Sequence, residues 1–250
     1  MLSSKVIVME EKEREEQSIG KELAKAKNVI DKFLYNCSHS MRGPLKSITG
    51  LVTILKNQPA DTIQLPQHLE LIQKTVNKME TILSELEQFL ANSRKELVIE
   101  SVSMNEVLDT ILEDHKKEAE DKNIRLSKNV VQTVPFYTDQ ERLVMVFSQL
   151  ILNALVFNDS SKEDRYVDIF VRVNSNGCHI KVLDNGIGIS ADIQKNIFQL
   201  FYRGSQQSQG AGIGLYIVNE VLRKMSGSIT VNSEEGCGSS FFVWIPNLKA

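Results

Sequence analysis

Little in this chain supports a disulfide framework, a nucleic-acid surface or a membrane anchor. Its three cysteines, Cys37, Cys178 and Cys237, are too widely spaced to read as a disulfide scaffold or a metal-ligand cluster, which points to a reducing compartment. Lys and Arg number 29 against 32 Asp and Glu, a net charge of −3, so no basic surplus suggests nucleic acid. The longest apolar stretch, Leu143 to Phe157, is interrupted by Ser148, Gln149 and Asn153. It is too short to span a bilayer and reads as a buried helix. The opening MLSSKVIVMEEKE lacks the basic flank and long apolar region of a secretory leader. A soluble chain without a membrane segment is expected.

What is present is enough for a core. At 250 residues and 42% hydrophobic, the chain suits two domains. The first hundred residues interleave charges, as in EEKEREEQ, which suits exposed faces of long helices. Ile19, Leu23, Ala26 and Ile30 alternate spacings of four and three, a heptad seam; Met41, Leu45, Ile48, Val52 and Leu55 do the same. After a polar NQPAD break, Leu65, Leu69, Ile72, Val76, Met79, Leu83, Leu86 and Leu90 continue the pattern. Two long helices joined around Gln58–Asp61 form a hairpin. A narrow apolar stripe on both helices predicts that two hairpins pair into a four-helix bundle, hence a homodimer. The alternative is a hairpin packed only on its own second domain.

His39 stands out on this stalk. Carrying the downstream seam back from Met41 puts Ser38 on the seam and His39 one position past it, facing water, whereas the upstream seam reaches Cys37. The two registers disagree by about one residue near Phe33–Ser38, a slip that locally rotates helices. Gly43-Pro44 adds a second irregularity, because Pro44 has no N–H for the Ser40 carbonyl. An exposed histidine between a slip and a kink suits presentation to a moving partner. His68 and His115 read as solvated helix surface, and His179, alternating along a strand, as a structural residue.

Near residue 100 the pattern changes. Ser103-Met-Asn-Glu106 reads as a capping box opening a helix through about Lys122, followed by a short strand around Ile124–Lys128. Thr138-Asp-Gln-Glu141 reads as another, opening an apolar helix to about Phe157. Tyr166–Val173 alternates as a strand, Asn176-Gly177 is a hairpin signal, and Cys178–Leu183 returns. A helix near Gly212–Met225 leads into strands around Ser228–Asn232 and Ser239–Ile245. The expectation is an α/β sandwich with a mixed sheet and helices on one face.

Chemistry concentrates in two glycine loops. Asp184 ends an apolar strand and enters Asn-Gly-Ile-Gly, where glycines let backbone approach a ligand; its carboxylate can accept from an exocyclic amine, so adenine is a natural guest. Gly210, Gly212 and Gly214 open the next helix, whose free N–H groups and dipole favour phosphate. Asn153 offers an amide oxygen to a hard cation such as Mg²⁺. The Gly-x-Gly-x-Gly spacing does not match the dinucleotide fingerprint.

Taken together and in order, these segments resemble the histidine kinases of two-component systems. SHSMRGPL (38–45) resembles their H-box, QLILNALVFN (149–158) the N-box, VLDNGIGI (182–189) the G1 box, IFQLFYRG (197–204) the F-box and GAGIGLYIV (210–218) the G2 box. GSITVNSEEGCGSSFFVWIP (227–246) is similar to their terminal strands. The resemblance implies a coiled-coil signal helix (1–27), a dimerisation and phosphotransfer hairpin (28–97) and a Bergerat-type ATP-binding domain (98–250). It implies ATP and Mg²⁺ as cofactors, a response-regulator receiver domain and an upstream sensor as partners, and a cytoplasmic location, alone or as the cytoplasmic part of a membrane-bound sensor. Carried over, His39 is the nucleophile, Asn153 the Mg²⁺ ligand and Asp184 the adenine reader. Gly186, Gly188, Gly210, Gly212, Gly214 and Leu215 shape the nucleotide pocket and its lid, with Tyr202–Gly210 mobile, and Arg203 approaches the phosphates.

The chain departs from the family pattern at four places. Ser40 replaces the usual acidic residue after the histidine, where it can hydrogen-bond but is a poor base. Gly43 stands where Thr or Asn supports phosphatase activity, Val156 where a lysine contacts phosphate, and Gln149 where the first N-box Asn stands. Two readings follow: an ATP-dependent kinase that phosphorylates His39 and passes the group to a receiver aspartate, or a nucleotide-binding signalling scaffold with little transfer. An ATPase or chaperone of the same fold leaves the histidine stalk unexplained.

Overall fold

The computed structural model describes Tyr35 and residues 38–57, 65–204 and 212–248. The 1–27 signal helix, the seam from Ile19 to Ile30, most of the register slip around Cys37, the Gln58–Asp61 turn and Gly210 lie outside these residues. The chain divides into two compact units at Met79/Glu80.

The described residues of the first unit are helical. Helix α1 (38–57) is continuous through Gly43-Pro44, with Ser47 Oγ donating to the Gly43 carbonyl at 3.2 Å and Thr49 Oγ1 to the Leu45 carbonyl at 2.8 Å. Helix α2 (Leu65–Arg94) begins here and continues into the second unit. Part of the seam is exposed: Leu45 and Leu69 are each 52% exposed, and Val52, Leu65, Leu83 and Leu90 are exposed too, while Met41, Ile48, Leu55, Ile72 and Val76 are half-buried.

The second unit is an α/β domain. It contains β1 (Glu100–Val102), α3 (Met104–Asp121), β2 (Ile124–Gln132), β3 (Phe136–Thr138), α4 (Gln140–Val156), β4 (Arg165–Asn174) and β5 (Gly177–Asp184). The short α5 (Ala191–Gln194), α6 (Gly214–Lys224), β6 (Ser228–Glu234) and β7 (Gly238–Pro246) follow. Five strands run in the order β2-β4-β5-β7-β6. β2 and β4 are parallel and the remaining pairs antiparallel, so the sheet is mixed, as expected. β1 and β3 form a separate antiparallel pair that the sequence does not announce.

Alternation explains the layering. Val167, Ile169, Val171 and Val173 of β4 point inward with Ile180 and Val182 of β5, and meet Leu143, Phe147, Leu150 and Ile151 of α4 and Val218 and Leu222 of α6, all buried. The opposite face carries exposed Phe170 and Phe242, with the Lys181 ammonium 5.9 and 5.6 Å from their ring centres.

Local signals held for element positions and erred on caps and limits. Ser103 has the extended backbone of an N-cap, but its side chain makes no capping bond; a different first-turn donor, the Met104 N–H, is met by Gln132 Oε1 at 3.0 Å. The cap of α4 is Asp139, not Thr138: its Oδ1 accepts from the Arg142 N–H at 2.9 Å, while Thr138 is buried in β3. β2 runs to Gln132, beyond the expected Lys128, because pairing with β4 continues to Val173. The β4–β5 turn is Ser175-Asn176, one residue early. Asn174 Oδ1 accepts from the Asn176 and Gly177 N–H groups, and Gly177 starts β5 with its Cα against β7: a Cβ there would lie 2.3 Å from the Ile245 carbonyl oxygen. α6 closes as a Schellman motif, with Ser226 at φ 57° and the Gly227 N–H donating to the Leu222 carbonyl at 2.7 Å.

Candidate nucleotide and phospho-acceptor sites

Helix α4 organises the second unit's site. Gln149, Asn153 and Phe157 are spaced by four residues and share one side of the helix. At one end, the Gln149 amide packs so closely on Gly214 that a Cβ there would sit 2.2 Å from its nitrogen. At the other, the Phe157 carbonyl accepts the Ile187 N–H at 3.0 Å. Asn153 therefore sits between the start of α6 and the Asp-Asn-Gly-Ile-Gly loop after β5.

That loop is closely packed. A Cβ on Gly186 would lie 2.3 Å from the Phe157 carbonyl oxygen, so no side chain fits. Gly188 has φ +69°, and a Cβ would lie 1.9 Å from the Glu234 carbonyl oxygen. The Gly236 N–H donates to the Ile187 carbonyl at 2.7 Å, and the Ile189 N–H to Ser233 Oγ at 2.8 Å. The β6–β7 turn thus backs the loop.

Asp184, 7% exposed, points its Oδ1 at the Gly186 N–H, 2.8 Å away. Burial pushes its carboxyl up to about 6, against the opposing pull of the Gly186 and Ser239 N–H groups and Lys162. A buried acceptor of this kind has capacity left for a donor outside the chain.

The start of α6 complements it. Its N-cap residue, Ile213, makes no side-chain capping bond, and the first turn holds no acidic residue. The N–H groups around Gly214 and Leu215 and the positive end of the helix dipole therefore meet no anion from their own first turn. Gly212, at φ +76°, lets the preceding chain pass Tyr202: a Cβ would lie 2.6 Å from the Tyr202 carbonyl oxygen.

Asn153 is half-buried, with its side-chain nitrogen lacking a hydrogen-bond partner. No intramolecular bond from that nitrogen holds the amide in place, leaving it able to present its oxygen to a ligand. Among the described residues no cluster of His, Cys, Asp and Glu could hold a metal. A cation here would take one oxygen from the chain and the rest from phosphates and water, which is how Mg²⁺ binds. The residues fit a Mg²⁺ that arrives with a nucleotide.

The remaining expected residues lie apart in sequence. His39 is exposed on α1, its ring stacked on Tyr35 with centroids 6.5 Å apart, and Ser40 beside it is half-buried. Arg203 is exposed and follows Phe201, which adopts φ +65°.

Several organising side chains carry no sequence signal of comparable strength. Lys162 donates to the carbonyls of Asn185 (2.7 Å), Gly186 (3.2 Å) and Gly236 (2.7 Å). Asn185 Oδ1 accepts the Tyr166 N–H at 3.0 Å, and its amide nitrogen donates to the Asp164 carbonyl at 2.6 Å. Arg142, 4% exposed, pairs with Asp139 and donates to Asn92 Oδ1 (2.9 Å) and the carbonyls of Lys95 (2.6 Å) and Glu96 (3.1 Å). Lys224 adds a bond to the Asn92 carbonyl at 2.7 Å. Two cations thus cap the C-terminal end of α2. The Asp-x-x-Arg spacing at 139–142 was the available hint for this cluster.

The second unit is an α/β domain carrying a candidate nucleotide site, and the first carries an exposed histidine on a helix. Residues 29–96 match the His Kinase A (phospho-acceptor) domain family, and residues 138–249 match the histidine kinase-, DNA gyrase B- and HSP90-like ATPase family. The chain belongs to the two-component sensor histidine kinases. It is 30% identical over 223 residues to sensor protein kinase WalK of Staphylococcus saprophyticus, covering 86% of this chain and 36% of that protein. It is 27% identical over 210 residues to sensor histidine kinase ZraS of Escherichia coli, covering 84% of this chain and 44% of that one. The chain thus spans less than half the length of these curated relatives. Its fold matches histidine kinase ThkA, solved in complex with the response regulator protein TrrA, with TM-score 0.68 and 19% identity over 84% of this chain and 60% of that one. Among the described residues no helix is long and apolar enough to cross a membrane.

Proposed function

We propose that this chain autophosphorylates His39 from ATP and passes the phosphoryl group to an aspartate of a response-regulator receiver domain. The observation that carries this reading is the pairing of buried Asp184 with the uncapped start of α6, both held by α4, as a site for one adenine nucleotide. Asp184 accepts from the adenine amine. Gly186 and Gly188 keep the loop against its neighbours, and Gly210, Gly212, Gly214 and Leu215 surround the phosphates. Asn153 holds Mg²⁺, whose charge neutralises the phosphate oxygens, and Arg203 approaches the γ-phosphate. An unprotonated imidazole nitrogen of His39 forms the new N–P bond as the bond from the γ-phosphorus to ADP breaks; the other ring nitrogen then gives its proton to solvent. Such transfer depends mostly on positioning and charge neutralisation, so Ser40 need only orient the ring.

The functional division we adopt is a signal helix at 1–27, a phosphotransfer hairpin at 28–97 and an ATP-binding domain at 98–250. Exposed seam leucines on α1 and α2 support a homodimer in which two hairpins form a four-helix bundle. An upstream sensor acts through the signal helix, and the chain works in the cytoplasm. The test is incubation with γ-labelled ATP and Mg²⁺ beside His39→Ala. Acid-labile, base-stable label that disappears in the variant supports the kinase. Equal labelling of both overturns His39 as the acceptor, and absent label with intact nucleotide binding replaces the kinase by a nucleotide-binding signalling scaffold.

A further inference from the structure

Lys162 does something that helix and strand signals do not require. It stands in the α4–β4 loop, where the Asp159 carboxylate accepts the Ser161 N–H at 3.0 Å and the Lys162 N–H donates to the Asp159 carbonyl at 3.1 Å. From this turn its ammonium reaches three backbone carbonyls on two other loops: Asn185 and Gly186 after β5, and Gly236 in the β6–β7 turn. Three carbonyl dipoles aimed at one point repel one another unless a cation sits between them. Asp159, at 3.9 Å, is too distant for a direct hydrogen bond and leaves the ammonium committed to the carbonyls.

The connectivity is more telling than the count. The Asn185 carbonyl and the Gly186 N–H belong to one peptide unit. Lys162 donates to that carbonyl at 2.7 Å, and the same unit's N–H donates to Asp184 Oδ1 at 2.8 Å. A cation on the carbonyl oxygen polarises the amide and strengthens its N–H as a donor. The chain ammonium, peptide unit, carboxylate therefore runs unbroken from Lys162 to Asp184.

We propose that Lys162 is a positioning residue for the nucleotide: it gathers the Asn185, Gly186 and Gly236 carbonyls and, through the Asn185–Gly186 peptide unit, orients Asp184 as the acceptor for the adenine amine. This rests on the reading of Asp184 as the adenine contact. Burial works against a charged Asp184, and three groups oppose it: the Gly186 N–H from its own loop, the Ser239 N–H from β7 and Lys162 from the α4–β4 loop. Without Lys162 the carboxyl protonates at higher pH, so nucleotide binding fails earlier as pH falls.

The test is equilibrium binding of a fluorescent ADP analogue to the full chain between pH 5 and 8.5. Lys162→Met is expected to weaken binding about tenfold near neutral pH and to move the midpoint of the acid limb to higher pH. Lys162→Arg, which keeps the charge and the donors, restores most of both. Equal weakening at every pH, or no change, overturns the proposal, since a merely structural lysine would not move the midpoint. In the unmodified chain, the Gly186 amide and Lys162 ammonium NMR resonances must titrate together with Asp184; a Lys162 resonance indifferent to that titration overturns the link even if Lys162→Met does not fold. If the unmodified chain binds no adenine nucleotide, the nucleotide reading fails, while the joint titration still decides the link from Lys162 to Asp184.

Discussion

Replacing Asp184 with asparagine should stabilise the chain at neutral pH while removing nucleotide recognition. The carboxyl titrates at about 6 in the fold against an ordinary value of 3.8. Its folded value is raised, so the stability tied to its protonated form is present at low pH and is lost as pH rises through about 6. At pH 7.5 the buried charge costs about 3 kcal/mol. The amide of the Asp184→Asn variant escapes that cost but presents one oxygen where the carboxylate presents two, and its NH₂ must face a backbone N–H, a mismatch worth about 1–3 kcal/mol. The net effect at pH 7.5 should be a gain of about 1 kcal/mol for Asp184→Asn, shrinking by about 1.4 kcal/mol to near zero at pH 5, where the native carboxyl is mostly neutral but still takes up a proton on folding. The readout is urea unfolding followed by fluorescence of Trp244, the single tryptophan, which lies on β7 next to β5 and so reports the sheet-containing unit. A stability difference between the two proteins that is the same at pH 5 and pH 7.5 would refute the reasoning. The variant should bind no adenine nucleotide at either pH.

Two further outcomes follow from the packing. Arg142→Met should destabilise the Trp244-reported transition by about 3–5 kcal/mol, because Asp139, 2% exposed, loses its buried counter-charge. A loss below about 1 kcal/mol would show that Lys224 alone secures the end of α2. Burial pushes the Asp139 carboxyl up, but the Val98 and Arg142 N–H groups and the Arg142 guanidinium outweigh it and hold it below the ordinary range. Its contribution is therefore present at neutral pH and lost only under strong acid, as pH falls through that lowered value. Gly188→Ala should weaken nucleotide binding more than tenfold, since the new Cβ strains a φ of +69° and meets the Glu234 carbonyl. Isothermal titration with ADP checks this, and unchanged affinity would separate the loop's conformation from binding.

How much of this was legible differs from residue to residue. Asp184 could be placed at the end of a strand because alternation and the following glycines are properties of adjacent residues. The α4 helix was legible from its apolar run, and with it the spacing of Gln149, Asn153 and Phe157. The Ser103 capping box was legible and yet not made, and the first-turn donor that is met, the Met104 N–H, finds its acceptor in Gln132, 28 residues from it. Ser40 and Arg203 were named through resemblance, because a role in phosphoryl transfer leaves no mark in local periodicity or spacing.

The sequence by itself determined the periodicities, the order of the motifs and the chemistry available at each, since these depend on neighbours within a turn or two. Only the tertiary structure decided which distant groups would share a charge. The three carbonyls that converge on Lys162 lie 23, 24 and 74 residues from it, and Asn92 lies 50 residues from Arg142. No periodicity reaches that far. Such pairings are fixed when helices and sheet close on a common core, because only then does a buried polar group lose water and have to find a partner within the protein.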